Sequence, residues 1–325
     1  MILNADLHLH SRYSAATSPR MDIPTLATEA ARKGMHLLGT GDCLHPHWLR
    51  GIKELEEQNG FFYGKRGDAG NSSTRFVLTV EVEDERRVHH LLIVPSISKA
   101  EELYESFRRS SPDIDADGRP SLRLSGEAIA EQAKDAGALI GPCHAFTPWT
   151  AVYAYHQSLR ECYGALVSSI SFVELGLSAD SSYADRIEEL RPLTFLTNSD
   201  AHSPHPIRLA REFNRFYVAD MGFDELKAAI QRRGGRKPVL NVGVPPQEGK
   251  YNESACIRCY THYSLSNAIT SRWRCACGGL IKKGVRDRVD ELANTDGTHP
   301  DHRPPYVHLI PLAELIGLEK VARRK

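Results

Sequence analysis

The chain begins with ILNADLHLH at residues 2–10, and this stretch is predicted to be the first strand of the fold. Successive side chains of a strand point to opposite faces, so His8 and His10 would share one face while the adjacent leucines pack on the other. Two imidazoles on one face, about 7 Å apart by strand rise, can bind one divalent ion. Asp6 lies on the same face and can orient an imidazole through a hydrogen bond. Alone, such a pair is equally typical of a structural histidine pair.

Short apolar runs recur through the first 200 residues and predict seven strands. The runs cover residues 2–9, 35–40, 76–82, 89–94, 138–141, 169–175 and 193–197. Helical patterns lie between most of them or follow the last, at residues 23–33, 99–109, 125–136, 182–190 and 220–233. Alternating strands and helices predict a parallel α/β barrel or a doubly wound sheet. Seven runs with helices between them favour the barrel.

The composition is that of an ordinary globular protein, with 325 residues of which 41% are hydrophobic and 25% charged. Basic and acidic residues both total 41, so net charge alone does not predict a polyanionic partner. From residue 250 to residue 325, however, 13 basic residues stand against 8 acidic ones. This surplus predicts contact with phosphate, and a merely solvated tail is the alternative. Polar residues interrupt the long apolar stretches, so we expect neither a signal peptide nor a membrane span, and a cytoplasmic protein.

Side chains of the metal-ligand type cluster at the ends of the other runs. They are Asp42, His45 and His47 after the second run, Glu81 and Glu83 at the end of the third, His89 and His90 at the start of the fourth, His144 after the fifth, Glu174 in the sixth, and Asp200 and His202 after the seventh. In parallel α/β barrels the C-terminal strand ends form the functional face, so these side chains can converge. Any one of them can simply cap a strand. Their joint occurrence in ligand-type residues predicts a metal centre.

Six motifs together resemble the polymerase-and-histidinol-phosphatase (PHP) superfamily of metal-dependent phosphoesterases. They are DLHLHS at 6–11, GTGDCLHP at 39–46, the Glu81 and His89 pair, CHAFTPW at 143–149, ELGLSAD at 174–180 and NSDAHSP at 198–204. With GVRDRVDELA at 284–293 and RPPYVHLIPLAELIG at 303–317, they are similar to the endonuclease Q family. This resemblance covers essentially the whole chain.

The resemblance implies a distorted seven-stranded (β/α) PHP barrel with two or three divalent ions, Zn, Mn or Mg, in its mouth. The implied ligands of a first ion are His8, His10, Glu81 and Asp200, and those of a second ion are Glu81 as a bridge, His89 and His144. The sequence equally permits His90 in place of His89.

A third ion is in question because the superfamily places a His directly after the Asp of the second motif, where this chain has Cys43. Asp42, His45 and His202 remain as candidate ligands for it.

The resemblance also implies an activity in DNA repair. A metal-dependent endonuclease would hydrolyse the phosphodiester 5′ of a deaminated base (uracil, hypoxanthine or xanthine) or of an abasic site, in single- or double-stranded DNA. The predicted catalytic residues are Asp200, Glu81 and His10. Two alternatives stay open: a phosphoesterase acting on small phosphomonoesters or RNA ends, and a DNA-binding module with weak catalysis.

A deaminated base must leave the stack to be inspected, because its distinguishing oxygen lies on the pairing edge. Three aromatic residues neighbour the motifs and are candidates to stack on such a base: Phe146, Trp149 and Tyr13. Each of them is also a plausible core residue.

Four cysteines in the tail predict a structural zinc site. A CxxC and a CxC motif supply Cys256, Cys259, Cys275 and Cys277. Four thiolates match tetrahedral Zn²⁺, and His262 is an alternative for one of them because the second motif departs from CxxC. Basic and aromatic residues around the motifs predict a nucleic-acid surface.

A Gly- and Pro-rich stretch at residues 241–250 predicts a linker. The chain is therefore divided into a PHP barrel at 1–240, a zinc-ribbon-like module with four cysteines at 251–282 and a short helical segment at 283–325. Residues 110–120 are predicted to form a polar, mobile loop.

Overall fold

The computed structural model of the protein describes residues 1–64 and 73–316. Its strands are β1 (Ile2–Asp6), β2 (Leu37–Gly39), β3 (Glu56–Gln58), β4 (Phe61–Tyr63), β5 (Arg75–Glu83), β6 (His89–Val94), β7 (Leu139–Pro142), β8 (Phe172–Glu174), β9 (Thr194–Leu196), β10 (Phe213–Tyr217), β11 (Lys237–Gly243), β12 (Ser254–Cys256), β13 (His262–Tyr263), β14 (Ile281–Lys282) and β15 (Tyr306–His308). Each of the seven predicted runs overlaps one of these strands.

The helices occupy most of the predicted positions. They are α1 (Ile23–Arg32), α2 (Pro46–Lys53), α3 (Ile97–Arg108), α4 (Gly126–Asp135), α5 (Val152–Tyr155), α6 (Leu159–Tyr163), α7 (Ser181–Ala184), α8 (Phe223–Ile230), α9 (Leu265–Thr270), α10 (Val285–Leu292) and α11 (Leu312–Leu315). Side-chain caps explain where several begin: Asp22, Ser96 and Ser125 each accept a hydrogen bond from a backbone N–H of the first turn. In the described ranges, no helix has both the length and the apolar character needed to cross a membrane.

The predicted mixed α/β class is confirmed. Ten strands form one sheet in the order β15-β11-β10-β1-β2-β5-β4-β3, with β6 beside β5 and β7 beside β6. β1, β2 and β5 are parallel, as are β8 and β9 in a separate pair. Three short strands of the cysteine-rich region, β12 to β14, form a third sheet.

β6 departs from the predicted parallel arrangement. It runs antiparallel to both β5 and β7. Only residues 84–88 join β5 to β6, and a parallel crossover needs a dozen or more residues. Asp84 closes this turn, because its Oδ1 accepts hydrogen bonds from the N–H groups of Arg86 and Val88, both at 2.8 Å. The beginning of β6 therefore lies beside the end of β5, where His89 pairs with Glu83.

Two further contacts bring the strand ends together. Leu9, beyond β1, forms a parallel bridge with Ala201, beyond β9, and the His10 N–H donates to the Ala201 carbonyl at 3.1 Å. Ser171, just before β8, donates its N–H to the Ile140 carbonyl of β7 at 2.9 Å. The C-terminal ends of β1, β2, β5, β7, β8 and β9 thus meet the N-terminal end of β6 on one face of the molecule.

Both faces of the central strands are buried, which is typical of strands covered on two sides. Leu3 and Leu7 pack with Leu91 in one apolar cluster. The alternate side chains, such as Leu78 and Val80, belong to a second cluster that includes the buried faces of the helices. The core consequently surrounds the strands and leaves their ends available for polar side chains.

The predicted boundary of the barrel, residue 240, falls inside β11, which spans Lys237–Gly243. This strand continues to Gly243 and pairs with β10 and, in parallel, with β15. The segment predicted to be helical from residue 283 onward thus returns a strand to the main sheet, in the loop after α10. Its pairing partner lies more than sixty residues upstream, and no local pattern reveals such a bond. The last part of that predicted segment, residues 317–325, lies outside the described residues.

Candidate metal centre

Three side chains converge just beyond β1 and β9. His8 Nε2 and His10 Nε2 lie 3.7 Å and 3.2 Å from Asp200 Oδ1. Both imidazoles are fully buried, and all three atoms lack a hydrogen-bond partner in the described part of the chain. Buried polar atoms rarely stay unpaired, so this group has the chemistry and spacing that a divalent ion would complete.

Glu81 lies at the middle of the cluster. Its Oε1 is 2.7 Å from His89 Nδ1 and 3.1 Å from His144 Nε2, while its Oε2 is 3.2 Å from His10 Nε2. Burial alone would raise the pKa of Glu81, but His89 and His8 outweigh that effect and hold this pKa well below its usual range. The Glu81 carboxylate is therefore an anion that contacts two groups of imidazoles. His8 and His10 lie on one side of it, and His89 and His144 lie on the other.

The structure brings His89 into the cluster and turns His90 away. Neighbouring side chains of a strand point to opposite faces, and His90 faces Tyr163 and Asp84. Its Nδ1 is 2.8 Å from the Tyr163 hydroxyl and its Nε2 is 3.3 Å from Asp84 Oδ2. Geometry thus favours His89 over the alternative that the sequence permitted.

Glu174 supports the cluster from behind. Both of its carboxylate oxygens lie 3.0 Å from His8 Nδ1. Asn198 Nδ2 donates to Oε2 at 2.8 Å and the His144 N–H donates to Oε1 at 3.0 Å, so the carboxylate itself is held in place. A carboxylate on Nδ1 directs the Nε2 of His8 toward the cluster.

Asp42 takes the same place behind His10. Its Oδ1 lies 3.2 Å from His10 Nδ1, and its Oδ2 accepts from the Ser11 N–H at 2.6 Å and the Ser14 hydroxyl at 2.9 Å. A Cβ on Gly118 would collide with this carboxylate, which shows how tightly the loop packs on it. Both oxygens of Asp42 thus contact and orient its neighbours.

The other candidates for a third ion also lie apart. His45 stacks on Tyr13, with ring centroids 4.3 Å apart, and His202 packs its ring 4.3 Å from that of His10. Cys43 is fully buried in the apolar core. Among the described residues, His45, His202 and Asp42 do not gather their ligand atoms into one group.

Three residues of the site have backbone in the left-handed region, where side chains other than glycine are uncommon. They are Asp42 at φ 51°, His144 at φ 30° and Asp200 at φ 47°. Such conformations cost on the order of 1–3 kcal/mol each and persist only where the surroundings determine them. Their concentration at this one face is typical of a functional site.

One cavity adjoins the cluster, and a second cavity lies next to the first. The first, of about 330 Å³, lies over the cluster and is lined by His89, His144 and Asp200 among others. The other, of about 430 Å³, lies between this face and the cysteine-rich region. They share the side chains of Trp149, Lys250 and Tyr251.

The three aromatic residues predicted to stack on a base have different surroundings. Trp149 lies where the two cavities meet, with Lys282 Nζ 4.3 Å above its ring. Tyr13 is partly exposed beside His45. Phe146 is 2% exposed and stacks on Tyr153 in the core.

The four cysteines of the tail meet as predicted. Cys256 Sγ lies 3.6 Å from Cys277 Sγ, and Cys259 Sγ lies 3.5 Å from Cys275 Sγ. Four thiolates around Zn²⁺, each at about 2.3 Å, would be about 3.8 Å apart. His262, the alternative ligand, instead pairs with Glu253, its Nδ1 2.6 Å from Oε2.

Arg119, Lys250 and Tyr251 reach the cavity over the cluster and were absent from the predicted site. Arg119 belongs to a segment that the sequence predicts to be a loop, and the other two adjoin the predicted linker. Polar loop composition carries no signal for which cation faces a site.

No protein-family model matches the chain. The uncharacterized protein YqxK of Bacillus subtilis is 32% identical over 336 residues, which cover 97% of this chain and 83% of that protein. The uncharacterized protein MJ0043 of Methanocaldococcus jannaschii is 49% identical over 179 residues, or 53% of this chain. That match spans only 22% of the Methanocaldococcus protein.

Two solved structures are similar over nearly the whole chain. The lesion-specific endonuclease PfuEndoQ from Pyrococcus furiosus is 50% identical with a TM-score of 0.90, and the match covers 98% of this chain and 78% of that one. A structure of Endonuclease Q with a 27-mer duplex substrate carrying an abasic lesion at the active site is also 50% identical, with a TM-score of 0.92 and the same coverage. Identity of this extent, together with the site described above, shows that the chain belongs to the endonuclease Q family.

Proposed function

We propose that the protein is a metal-dependent endonuclease that cuts DNA at lesions, on the 5′ side of a deaminated base or an abasic site. The observation that carries this proposal is the group of unpaired, buried imidazole and carboxylate atoms around Glu81, at the mouth of a cavity. A related Endonuclease Q holds duplex DNA with an abasic lesion at its active site.

Two divalent ions, Zn, Mn or Mg, fit the residues present. One would be held by His8, His10 and Asp200, and the other by His89 and His144, with Glu81 between them. Bound divalent ions lower the pKa of a water molecule and neutralise charge at phosphorus.

The chain's own residues prepare this chemistry. Glu174 and Asp42 accept the Nδ1–H of His8 and His10, so the Nε2 lone pairs point into the cluster. The low pKa of Glu81 keeps its charge at neutral pH. Asp200 contributes a second carboxylate on the side that faces the cavity.

The two connected cavities offer room for a nucleotide that leaves the duplex. Trp149 and Tyr251 give aromatic surface, and Lys250 and Lys282 place positive charge beside it. Stacking and phosphate contacts are the two interactions that displaced nucleotides need. We propose Trp149 as the first stacking residue and Tyr13, which lies beside His45, as a second.

At the level of the fold, we propose that β1, β2, β5, β6, β7, β8 and β9 close a seven-stranded barrel. The Leu9–Ala201 bridge and the Ser171–Ile140 hydrogen bond support this closure, since they link strands that the sheet order leaves separate.

We propose as well that the four cysteines hold one structural Zn²⁺ in a ribbon-like module at residues 251–282, and that the barrel unit extends to Gly243 and includes β15.

The test uses labelled duplexes that carry one deoxyuridine, one deoxyinosine or one abasic site, with an undamaged duplex for comparison and Mg²⁺, Mn²⁺ or Zn²⁺ added. We expect a single cut 5′ of the lesion. Asp200→Asn should slow this cut by at least about 100-fold, because the carboxylate that completes one ion site becomes neutral. The matched control is Asp301→Asn at an exposed position.

Each alternative has its own outcome. Turnover of a small phosphomonoester without cleavage at the lesion would replace the proposal with a metabolite phosphoesterase. Binding of the lesion duplex without any turnover would replace it with a DNA-binding module.

A further inference from the structure

Arg119 is a cation beside the cluster of imidazoles and carboxylates around Glu81. Its Nη1 lies 3.4 Å from Glu81 Oε2, the same oxygen that is 3.2 Å from His10 Nε2. The side chain of Arg119 is 31% exposed and lines the cavity over the cluster. The guanidinium therefore contacts Glu81 on one side and faces the cavity over the cluster on the other.

The loop that carries Arg119 is anchored on both sides of this residue. The Gly118 N–H donates to the Tyr13 carbonyl at 3.1 Å, and the Pro120 carbonyl accepts from the Glu83 N–H at 3.0 Å. Asp117 Oδ1 accepts from the Arg119 N–H at 3.0 Å. The polar loop predicted at residues 110–120 is thus pinned to the segments that carry the site, and its backbone directs the arginine inward.

The hydrogen-bonding capacity of Arg119 exceeds what the described residues use. A guanidinium has five N–H donors, and in the described part of the chain its one acceptor is Glu81. The other cations that line the cavity, Arg87 and Lys250, are exposed at its rim. Free donors of a half-buried guanidinium suit an anion with several oxygens, above all a phosphate.

We propose that Arg119 binds the phosphate group whose ester bond is broken, an inference that rests on the proposed function. In the hydrolysis, a water oxygen forms a bond to phosphorus, the bond to one ester oxygen breaks, and that oxygen leaves with a proton. Negative charge grows on the non-bridging oxygens during this exchange, and the fixed donors of Arg119 stabilise it. Arg119 neither gives nor takes a proton.

The test compares wild type, Arg119→Ala and Arg119→Lys as holoproteins on the abasic-site duplex. For Arg119→Ala we expect a single-turnover rate lower by about 100- to 1,000-fold, the cost of one lost donor to a developing anion. Arg119→Lys should recover part of this rate, since lysine keeps the positive charge but lacks the planar guanidinium with its paired donors. The matched control is Arg123→Ala, an exposed arginine four residues away that should cut at the wild-type rate.

Three further measurements separate phosphate binding from a structural role in holding Glu81. Metal content per chain should be unchanged in Arg119→Ala. The slope of log kcat/KM against log salt should become shallower by about 1, because one phosphate contact is lost. Added guanidinium ion should restore part of the rate in Arg119→Ala and none in a wild-type background.

Loss of metal from Arg119→Ala, or an unchanged salt slope with a lowered rate, would overturn the proposal in favour of a support role. A wild-type rate for Arg119→Ala would overturn it outright. If wild type leaves every lesion duplex intact, the proposed function fails. The Arg119 inference is then decided with bis(4-nitrophenyl) phosphate, where the same rate loss and guanidinium rescue are expected.

Discussion

At the scale of single residues, a carboxylate orients each of two imidazoles of the cluster by accepting a hydrogen bond from Nδ1, the ring nitrogen that points away from the cluster. Glu174 serves His8, and Asp42 serves His10. This arrangement selects the tautomer with a free Nε2, and Nε2 is the atom left unpaired in both rings. The residue types of the cluster were visible in the sequence, whereas the division between the side chains that face the cluster and the carboxylates behind them depended on which oxygen faces which nitrogen.

Glu174→Gln should weaken metal binding and cleavage by about 10- to 100-fold, the usual cost of losing a carboxylate behind a ligating imidazole. The measurement is metal release in competition with a chelator, together with the cleavage rate. Glu188→Gln, at an exposed position, is the control. Metal release that matches wild type would show that Glu174 has no part in holding His8.

At the scale of secondary-structure elements, the reversal of β6 explains the composition of the site. Because β6 runs antiparallel, its first residue, His89, arrives at the face where the other strands end. In the sequence, His89 stands at the beginning of an apolar run, whereas the other candidate ligands stand at or near the ends of their runs. A uniformly parallel sheet would therefore place His89 on the opposite side of the molecule from the other candidates. The short connection at residues 84–88 indicates the antiparallel direction of β6, because a parallel crossover needs a longer connection.

The cysteine-rich region is an element whose stability we expect to depend on metal. Its own buried apolar cluster consists only of Cys256, Ala268, Cys275 and Ile281, too small a core to fold a module unaided. Cys275→Ser should therefore lose one Zn²⁺ per chain and expose residues 251–282 to proteolysis. Elemental analysis and limited proteolysis measure both, with Ser266→Ala in the same module as control. A variant that keeps its Zn²⁺ and its protease resistance would contradict a structural zinc site.

At the scale of the whole molecule, the tail is locked onto the main sheet. Arg303 donates to Asp185 through Nε at 3.1 Å and Nη2 at 2.8 Å, and Asp185 is fully buried. β15 adds Tyr306 beside the buried Glu212, whose Oε1 accepts from the Val244 N–H at 3.0 Å. Arg303 and Tyr306, which follow the cysteine-rich region, are thus packed against buried acidic side chains of the main domain.

Glu212 should make the stability of this assembly depend on pH. Burial raises the pKa of Glu212 to about 8, so between about pH 4.5 and pH 8 the native carboxyl holds a proton that the unfolded one has released. Stability contributed by this group is complete below pH 4.5 and is lost as pH rises through 8. The side chain of Glu212→Gln is neutral at every pH. Between pH 5 and pH 8 the unfolding free energy of this variant should therefore fall less than that of wild type, by about a few kcal/mol.

Urea unfolding of wild type and Glu212→Gln at both pH values measures this difference. Glu188→Gln, at the surface, should keep the wild-type pH dependence. If Glu212→Gln loses as much stability as wild type between pH 5 and pH 8, the carboxyl is already ionised in the native state.

Local pattern and residue chemistry were sufficient for the positions of the central strands, most helices and the cluster of four cysteines, because periodicity and cysteine spacing are properties of short segments. Folding in three dimensions alone settled the return of β15 to the sheet, the burial of Phe146 and the arrival of Arg119 over Glu81. Each of these depends on hydrogen bonds or packing between segments far apart in the chain, and their energies do not appear in any local stretch of sequence.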